Sequence, residues 1–283
     1  MRTLLHISDV HFGPYHQPDR AAAIETLVRA RRPDLVVISG DLTQRAKRRQ
    51  FDEARAFVDR LQAEALPVLA VPGNHDVPLY RVWERVFAPY GMYRARFDAT
   101  LEPEFEDDAL LAIGLNTAYG WTLKDGRLRR RRLRALRDRL ARANAGKLKI
   151  IVAHHPLVPA PRYDTQRVVY NAHEAATVFA DAGVDLVLSG HLHQTFVTST
   201  EAYYPSGRAP VLLVNTGTTT SSRGRGVEHR RNTCNWLRLD AQTVDITQLG
   251  WDDDAADFVP WSRQLHPRQT AGASAPARLA QVS

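Results

Sequence analysis

Aspartate, histidine and asparagine, side chains that bind cations through oxygen and nitrogen, recur in five short clusters of this chain. They are Asp9-Val10-His11, Gly40-Asp41, Gly73-Asn74-His75-Asp76, His154-His155-Pro156 and Gly190-His191-Leu192-His193. Carboxylate and imidazole donors without thiolate suit borderline divalent ions such as Mn, Fe, Co, Ni or Zn. A structural zinc site favours cysteine with histidine, and the chain has one cysteine, Cys234. The candidate ligands Asp9, His11, Asp41, Asn74, His154, His191 and His193 are more than one tetrahedral ion needs. They suit two ions sharing a bridging carboxylate. Two ions about 3.5–4 Å apart polarise a phosphoryl oxygen while holding a hydroxide for in-line attack, which is the chemistry of phosphoester hydrolysis.

Each cluster follows an apolar, largely β-branched run: Leu4–Ser8, Leu35–Ser39, Val68–Pro72, Leu148–Ala153 and Val184–Ser189. Short apolar runs bounded by Gly and Pro read as buried strands. Loops leaving the carboxyl ends of strands in an open α/β sheet converge on one crevice, so ligands far apart in sequence are expected to meet. Glycine before Asp41, Asn74 and His191 is expected to permit sharp backbone turns there.

Helical spacing between the strands is expected over Arg20–Arg32, Phe51–Ala63, Leu79–Phe87, Arg127–Ala143 and Ala172–Ala182. Leu110–Leu115 adds a strand, and after His193 come strand candidates at Thr195–Thr200, Pro210–Asn215, Asn235–Leu239 and Val244–Leu249. The order predicts an α/β fold: two mixed sheets packed face to face with helices outside, a four-layer αββα sandwich over residues 1–262. Residues 263–283 turn to Gln, Ala, Ser, Pro and Arg without periodicity and read as a disordered tail.

Among 283 residues, 44% are hydrophobic, enough for a sizeable core. The formal charge of +7, carried mainly by arginine, invites an anionic partner. The single cysteine excludes an internal disulfide framework. No stretch has the apolar length of a membrane span, and a cleavable signal would remove Asp9. A cytoplasmic protein is expected.

The clusters, in their order from Asp9 to His193, resemble the signature of the calcineurin-like metallophosphoesterase superfamily: Asp-x-His, Gly-Asp, Gly-Asn-His-Asp, a histidine after a strand, and Gly-His-x-His. The resemblance implies one ion held by Asp9, His11, Asp41 and His193. It implies a second held by Asp41, Asn74, His154 and His191, with Asp41 bridging; Mn or Fe is the first expectation, with Zn, Co and Ni as alternatives. His75 corresponds to the histidine that contacts the substrate phosphate, either protonating the leaving oxygen or donating a hydrogen bond while neutral. The family pattern favours His154 over His155 as ligand, which leaves His155 a structural role. Asp76 is expected to fix the loop that presents Asn74 and His75.

Gly-Asp-Leu-Thr, His-His-Pro and the stretch Asn215-Thr216-Gly217-Thr218 with Ser221, Ser222 and Arg223 resemble bacterial class III cyclic-nucleotide phosphodiesterases. That implies a small phosphodiester substrate, first a 3′,5′-cyclic nucleotide. Broad-specificity relatives and nucleotide-linked lipid pyrophosphatases are the alternatives, and a catalytically silent scaffold is the rival from another class. Nucleic acid is the less favoured partner, and a homodimer is compatible with the sequence. Arg129–Arg132 with Arg134, Arg137 and Arg139 reads as the polar face of a surface helix without interleaved stacking aromatics. Arg45, Lys47, Arg48 and Arg49 read as a solvated helix start or a phosphate-steering group. One of Arg223, Arg225, Arg230 and Arg231 is a candidate substrate contact. Tyr119 and Trp121 are expected to pack in the core rather than stack on a base, and His6, His16, His173 and His229 to be ordinary core or surface residues.

Overall fold

The computed structural model describes residues 1–268 except 65, 123, 145, 162–167, 225–227 and 230. Three parallel strands, β1 (Arg2–Ile7), β2 (Leu35–Ile38) and β3 (Val68–Ala70), form one half of the first sheet. An antiparallel meander of β10 (Thr233–Leu239), β11 (Thr243–Asp252) and β12 (Asp257–Pro267) extends it, in the order β12-β11-β10-β1-β2-β3. The second sheet is ordered β4-β5-β6-β7-β9-β8. Its strands are β4 (Glu104–Glu106), β5 (Leu110–Leu115), β6 (Leu148–Ala153), β7 (Leu186–Ser189), β8 (Phe196–Ser199) and β9 (Leu212–Asn215). β5, β6, β7 and β9 run parallel, and β4 and β8 are antiparallel edges.

Alternation along these strands builds three apolar layers. In β1 and β2, Leu5, Ile7, Val36 and Ile38 point outward to α1 (Pro18–Arg31) and α2 (Arg48–Gln62), meeting Ile24, Val28, Phe51, Phe57 and Leu61. The intervening Leu4, Leu35 and Val37 point inward and meet Leu110, Leu148, Ile150, Val152, Leu186 and Leu188 of the other sheet. Beyond the second sheet, Leu133, Leu136 and Leu140 of α5 (Arg130–Ala141) and Ala175, Ala176 and Phe179 of α6 (Ala172–Asp181) close the third layer. The stack is αββα, as the alternation of strand and helix signals leads one to expect.

The layer between the sheets becomes polar toward the carboxyl ends of the strands. His6 Nε2 meets Ser39 Oγ at 2.9 Å, and Ser189 Oγ donates to Asn215 Oδ1 at 2.9 Å. Burial pushes the His6 pKa down to about 3, so its ring is a neutral hydrogen-bonding spacer.

Four elements depart from expectation. Residues 263–267 belong to β12, so an aperiodic tail does not begin at residue 263; of that stretch, residues 269–283 lie outside the described residues. As an edge strand, β12 keeps few apolar residues, yet Arg263 grips Asp245 of β11 through two contacts of 2.9 and 2.7 Å. Arg268, just past its end, reaches Asp185 at 2.7 Å. The short helix α4 (Gly91–Arg96) and strand β4 were also not expected. Each is too brief to show a period, and α4 is held by Tyr93 against Phe51 of α2, ring centroids 5.9 Å apart. The helix expected over Leu79–Phe87 shortens to α3 (Val82–Phe87).

Candidate metal centre

All five clusters sit just past the carboxyl ends of β1, β2, β3, β6 and β7 and converge on one crevice. The chain leaves these strands abruptly. Asp9, His11, Asp41, His191 and His193 all have positive φ, between 47° and 68°. This left-handed region costs a side-chain-bearing residue roughly 1–2 kcal/mol, a strain that clusters at functional sites and persists only where the surroundings enforce it. The glycines serve two purposes. Gly40 has φ +96°, as a turn requires, and a Cβ there would lie 2.5 Å from His154 Nδ1. Gly73 and Gly190 do not have positive φ; they are needed because a Cβ would collide with Asp41 and with Ser8 and Asp9, respectively. The expectation of sharp turning therefore holds at Gly40, whereas at the other two close approach is the reason.

Four histidines are aimed by what their outer nitrogens touch. Backbone carbonyls accept only, so the Nδ1 atoms of His154 on Ser39 O (2.9 Å), His193 on Arg223 O (2.6 Å), His75 on Gln44 O (2.9 Å) and, more loosely, His11 on Thr43 O (3.4 Å) carry the proton. Their Nε2 atoms then face the crevice, the arrangement that orients imidazole ligands in metal sites. His191 is turned the other way, with Nδ1 3.3 Å from His154 Nε2.

The inward atoms form two groups. Asp9 Oδ1 lies 3.0 Å from His193 Nε2 and 3.6 Å from His11 Nε2, and Asp41 Oδ2 lies 3.6 Å from His11 Nε2. On the other side, His154 Nε2 is 3.4 Å from Asp41 Oδ1 and 3.1 Å from Asn74 Oδ1. The two oxygens of Asp41 thus face different groups, while Oδ1 also accepts the His75 N–H at 2.8 Å. Asp9 Oδ2 is engaged by Ser8 Oγ and by the N–H of His191, but the buried Oδ1 has no hydrogen-bond partner. A buried carboxylate oxygen left open toward two imidazole lone pairs is costly unless a cation completes it, so the donor set fits a divalent ion.

The electrostatics agree. Burial opposes ionisation of Asp9 and Asp41, yet the surrounding histidines hold both carboxyls well below their usual range. Burial pushes His11 down to about 4 and His191 to about 3, leaving lone pairs available. His154 moves the other way, to about 9: burial opposes its charge, but Asp41 and Asp9 outweigh it. A proton on His154 and a cation beside it answer the same carboxylates, so metal binding would displace that proton.

Asp76 accepts from the backbone N–H of Leu42, Thr43 and Gly73 and from Thr43 Oγ1, stitching the Asp41 loop to the Asn74 loop. His155 also brings a ring nitrogen within 4.8 Å of those of His154 and His191. Its Nδ1 is fixed on Thr117 Oγ1 at 2.8 Å, and its Nε2 is buried without a partner. His154, not His155, is the ring whose Nε2 meets Asp41, Asn74 and His191 together.

The remaining expectations divide. Arg129–Arg139 does form the outer face of α5, with Arg132, Arg130 and Arg139 paired to Glu102, Glu174, and Glu104 with Glu106. Arg48 and Arg49 pair with Asp52 and Glu53 along α2, whereas Arg45 lies over the Tyr80 ring at 5.3 Å. Trp121 is 78% exposed and does not pack in the core; with Tyr119 it lines a cavity of about 510 Å³ that also holds Arg94, Arg129 and Arg132. Arg225 and Arg230 lie outside the described residues. Arg223 does reach the crevice, its Nη1 3.3 Å from His75 Nε2 and 3.2 Å from Gln44 Oε1. Nothing in the sequence singled out Gln44, which is buried there.

Comparison with known proteins adds an independent line. The family model described as calcineurin-like phosphoesterase matches residues 2–195. A protein of Synechococcus named as a probable cyclic nucleotide phosphodiesterase is 32% identical over 180 residues, 63% of this chain and 65% of that one. The cAMP/cGMP dual specificity phosphodiesterase of Mycobacterium tuberculosis is 27% identical over 271 residues, 90% of this chain and 82% of its own. Among solved structures, a purple acid phosphatase from yellow lupin seeds superposes with a TM-score of 0.70 at 12% identity, covering 99% of this chain and 57% of that one. At that identity the likeness is one of fold.

Proposed function

The chain belongs to the calcineurin-like phosphoesterase family, and from that premise we propose that it is a binuclear metal-dependent phosphodiesterase whose substrate is a 3′,5′-cyclic nucleotide. The observation that carries the reading is Asp41, whose two carboxylate oxygens face two separate donor groups. In this reading Asp9, His11 and His193 complete one site with Asp41, and Asn74, His154 and His191 complete the other. Two divalent ions, Mn or Fe first, would supply Lewis acidity toward the phosphoryl oxygen and lower the pKa of water toward neutrality. The similarity to proteins named for cyclic nucleotide hydrolysis supports the choice of substrate.

The chain's own residues position the ester and manage its protons. His75 keeps its Nδ1–H on Gln44 O, so the neutral ring offers a lone pair at Nε2 and no donor. Of the two roles expected for it, neutral donation would require that bond to break. Proton delivery from Nε2 to the leaving oxygen would first need a second proton on the ring, taken up at Nε2 from the attacking water or from solvent, and Gln44 O would hold Nδ1–H in both protonation states. Burial and Arg223 lower the pKa of His75 while Asp41 raises it, which leaves the resting ring neutral near pH 7.

The test is a substrate panel with Mn²⁺: cyclic nucleotides, bis-p-nitrophenyl phosphate, p-nitrophenyl phosphate, UDP-diacylglucosamine and single-stranded DNA. Turnover of cyclic nucleotides above the monoester is expected; dominant monoester cleavage would overturn the diesterase reading. The lipid-linked substrate is included because Trp83 and Phe87 of α3 are 78% and 75% exposed and stacked, an apolar surface suited to an acyl chain. A protein that binds less than one transition metal per chain after reconstitution would favour a scaffold.

A further inference from the structure

The loop after β9 brings one residue to the crevice at both of its ends. The backbone carbonyl of Arg223 accepts the Nδ1–H of His193 at 2.6 Å, and its guanidinium Nη1 lies 3.3 Å from His75 Nε2 and 3.2 Å from Gln44 Oε1. This loop is closely tied down. Thr218 Oγ1 donates to Asp9 O at 2.7 Å, Thr219 N to Ser8 O at 3.0 Å and Thr220 Oγ1 to Val10 O at 2.9 Å. Ser222 N donates to Tyr15 O at 2.9 Å, and Asn232 Nδ2 to Ser221 O at 2.9 Å. The loop that carries Arg223 is therefore bonded to the backbone that carries Asp9 and His11, and the guanidinium is positioned before any ligand arrives.

A guanidinium is a fixed fork of N–H donors suited to phosphate oxygens. Here it stands beside His75, on the side of the crevice where a leaving oxygen would meet Nε2. We propose that Arg223 binds a non-bridging oxygen of the substrate phosphodiester and stabilises the negative charge that grows on it as phosphorus becomes five-coordinate, an inference that rests on the phosphodiesterase reading above. In that reaction one water oxygen bonds to phosphorus and the bond to one ester oxygen breaks. The departing oxygen gains a proton, and the remaining phosphate leaves as a monoester. Arg223 neither gains nor loses a proton. A diester carries one negative charge and its transition state two, so a fixed cation acts mainly on the transition state and its loss falls on kcat.

The experiment compares wild type, Arg223→Ala and Arg223→Lys, each reconstituted with Mn²⁺. Metal content, kcat and KM on bis-p-nitrophenyl phosphate and a cyclic nucleotide, and calorimetric binding of inorganic phosphate are measured together. Arg223→Ala is expected to keep its metal, because His193 is anchored by a backbone carbonyl, and to lose about 10²–10³-fold in kcat, the scale for removing one charge-stabilising donor. Arg223→Lys should recover part of that loss, added guanidinium ion should rescue the alanine variant, and the Kd for phosphate should weaken at least tenfold. Wild-type kcat and phosphate affinity in Arg223→Ala would overturn the inference. So would loss of metal in that variant, which would make Arg223 a positioning residue for His193. If wild type hydrolyses no diester yet phosphate binding still depends on Arg223, the diesterase reading falls and the phosphoryl-binding role stands.

Discussion

The two halves of the crevice share Asp41 and otherwise differ in kind. The Asp9, His11 and His193 side brings a second carboxylate, and its three side chains are almost fully buried, with 0% to 2% exposed. The Asn74, His154 and His191 side brings no carboxylate of its own, and Asn74 and its neighbour His75 are half-buried. A buried pair of carboxylates is an unstable arrangement until a cation joins it, so under the proposed reading the first half would hold its ion the more firmly. The second half depends on the charge of Asp41 and opens toward the place where substrate would lie. The difference suggests a tightly held ion beside a more exchangeable one, and each variant below tests that asymmetry.

The largest effect is expected at the shared residue. Asp41→Asn removes one charge from both halves and replaces an acceptor oxygen with an amide that must face ligand nitrogens. Breaking a buried charge cluster costs about 3–5 kcal/mol, roughly 10²- to 10⁴-fold in affinity at 1.4 kcal/mol per decade. Metal content by mass spectrometry should fall below one ion per chain, with turnover lost. Retention of two ions would show that Asp41 does not bridge.

The next two variants separate the halves. Asp9→Asn should reduce the tightly held ion, whereas Asn74→Ala should leave one ion per chain and lower the affinity for the second. Titrating Mn²⁺ into apoprotein would show one weakened step in each case, with the larger loss for Asp9→Asn because a charge is removed. Equal losses would erase the proposed asymmetry. Asp76→Asn is expected to act less strongly and on both steps alike, about 10–100-fold in affinity as for residues that orient ligands. Its four donors, from Leu42, Thr43 and Gly73, would then face a side chain that is itself half donor.

Most of the crevice was legible from the sequence because every cluster followed an apolar run, and strand ends are where an α/β sheet gathers its loops. The layered stack was legible from the alternation of strand and helix signals, but which of Leu4, Leu5, Leu35 and Val36 faces which layer was not, because both faces of these strands are apolar. What escaped depends on contacts between distant segments. Four arginines between 223 and 231 look alike in sequence; Arg223 reaches His75 because Thr218 to Ser222 are bonded to residues around Asp9, 209 positions away in the Thr218 case. The strand β12 escaped because its pairing with β11 rests on backbone hydrogen bonds and on Arg263 with Asp245, which leave no apolar period. Trp121 was misplaced because an aromatic ring reads as core by composition alone, whereas here it is exposed and lines a cavity beside Tyr119.

The smallest effect on turnover is expected at Thr117, and it bears on the least settled histidine. Thr117 Oγ1 is the partner of His155 Nδ1 at 2.8 Å, and the His155 ring packs 4.4 Å from that of His191. Thr117→Val keeps the side-chain shape and removes the hydroxyl, leaving both ring nitrogens of a buried imidazole unsatisfied. Burial and the neighbouring His191 and His154 hold the His155 pKa well below its usual value, so the ring cannot relieve this by charging. The hydroxyl also accepts the His155 backbone N–H at 3.3 Å; each buried polar atom left unmet costs about 1–3 kcal/mol, which a lower urea midpoint of the metal-loaded protein would register. If His155 only buttresses His191, both ions remain and kcat changes by less than about tenfold, since 1.4 kcal/mol is one decade. Loss of the second ion in Thr117→Val would make His155 a ligand, and the second half of the crevice would then be built from three histidines.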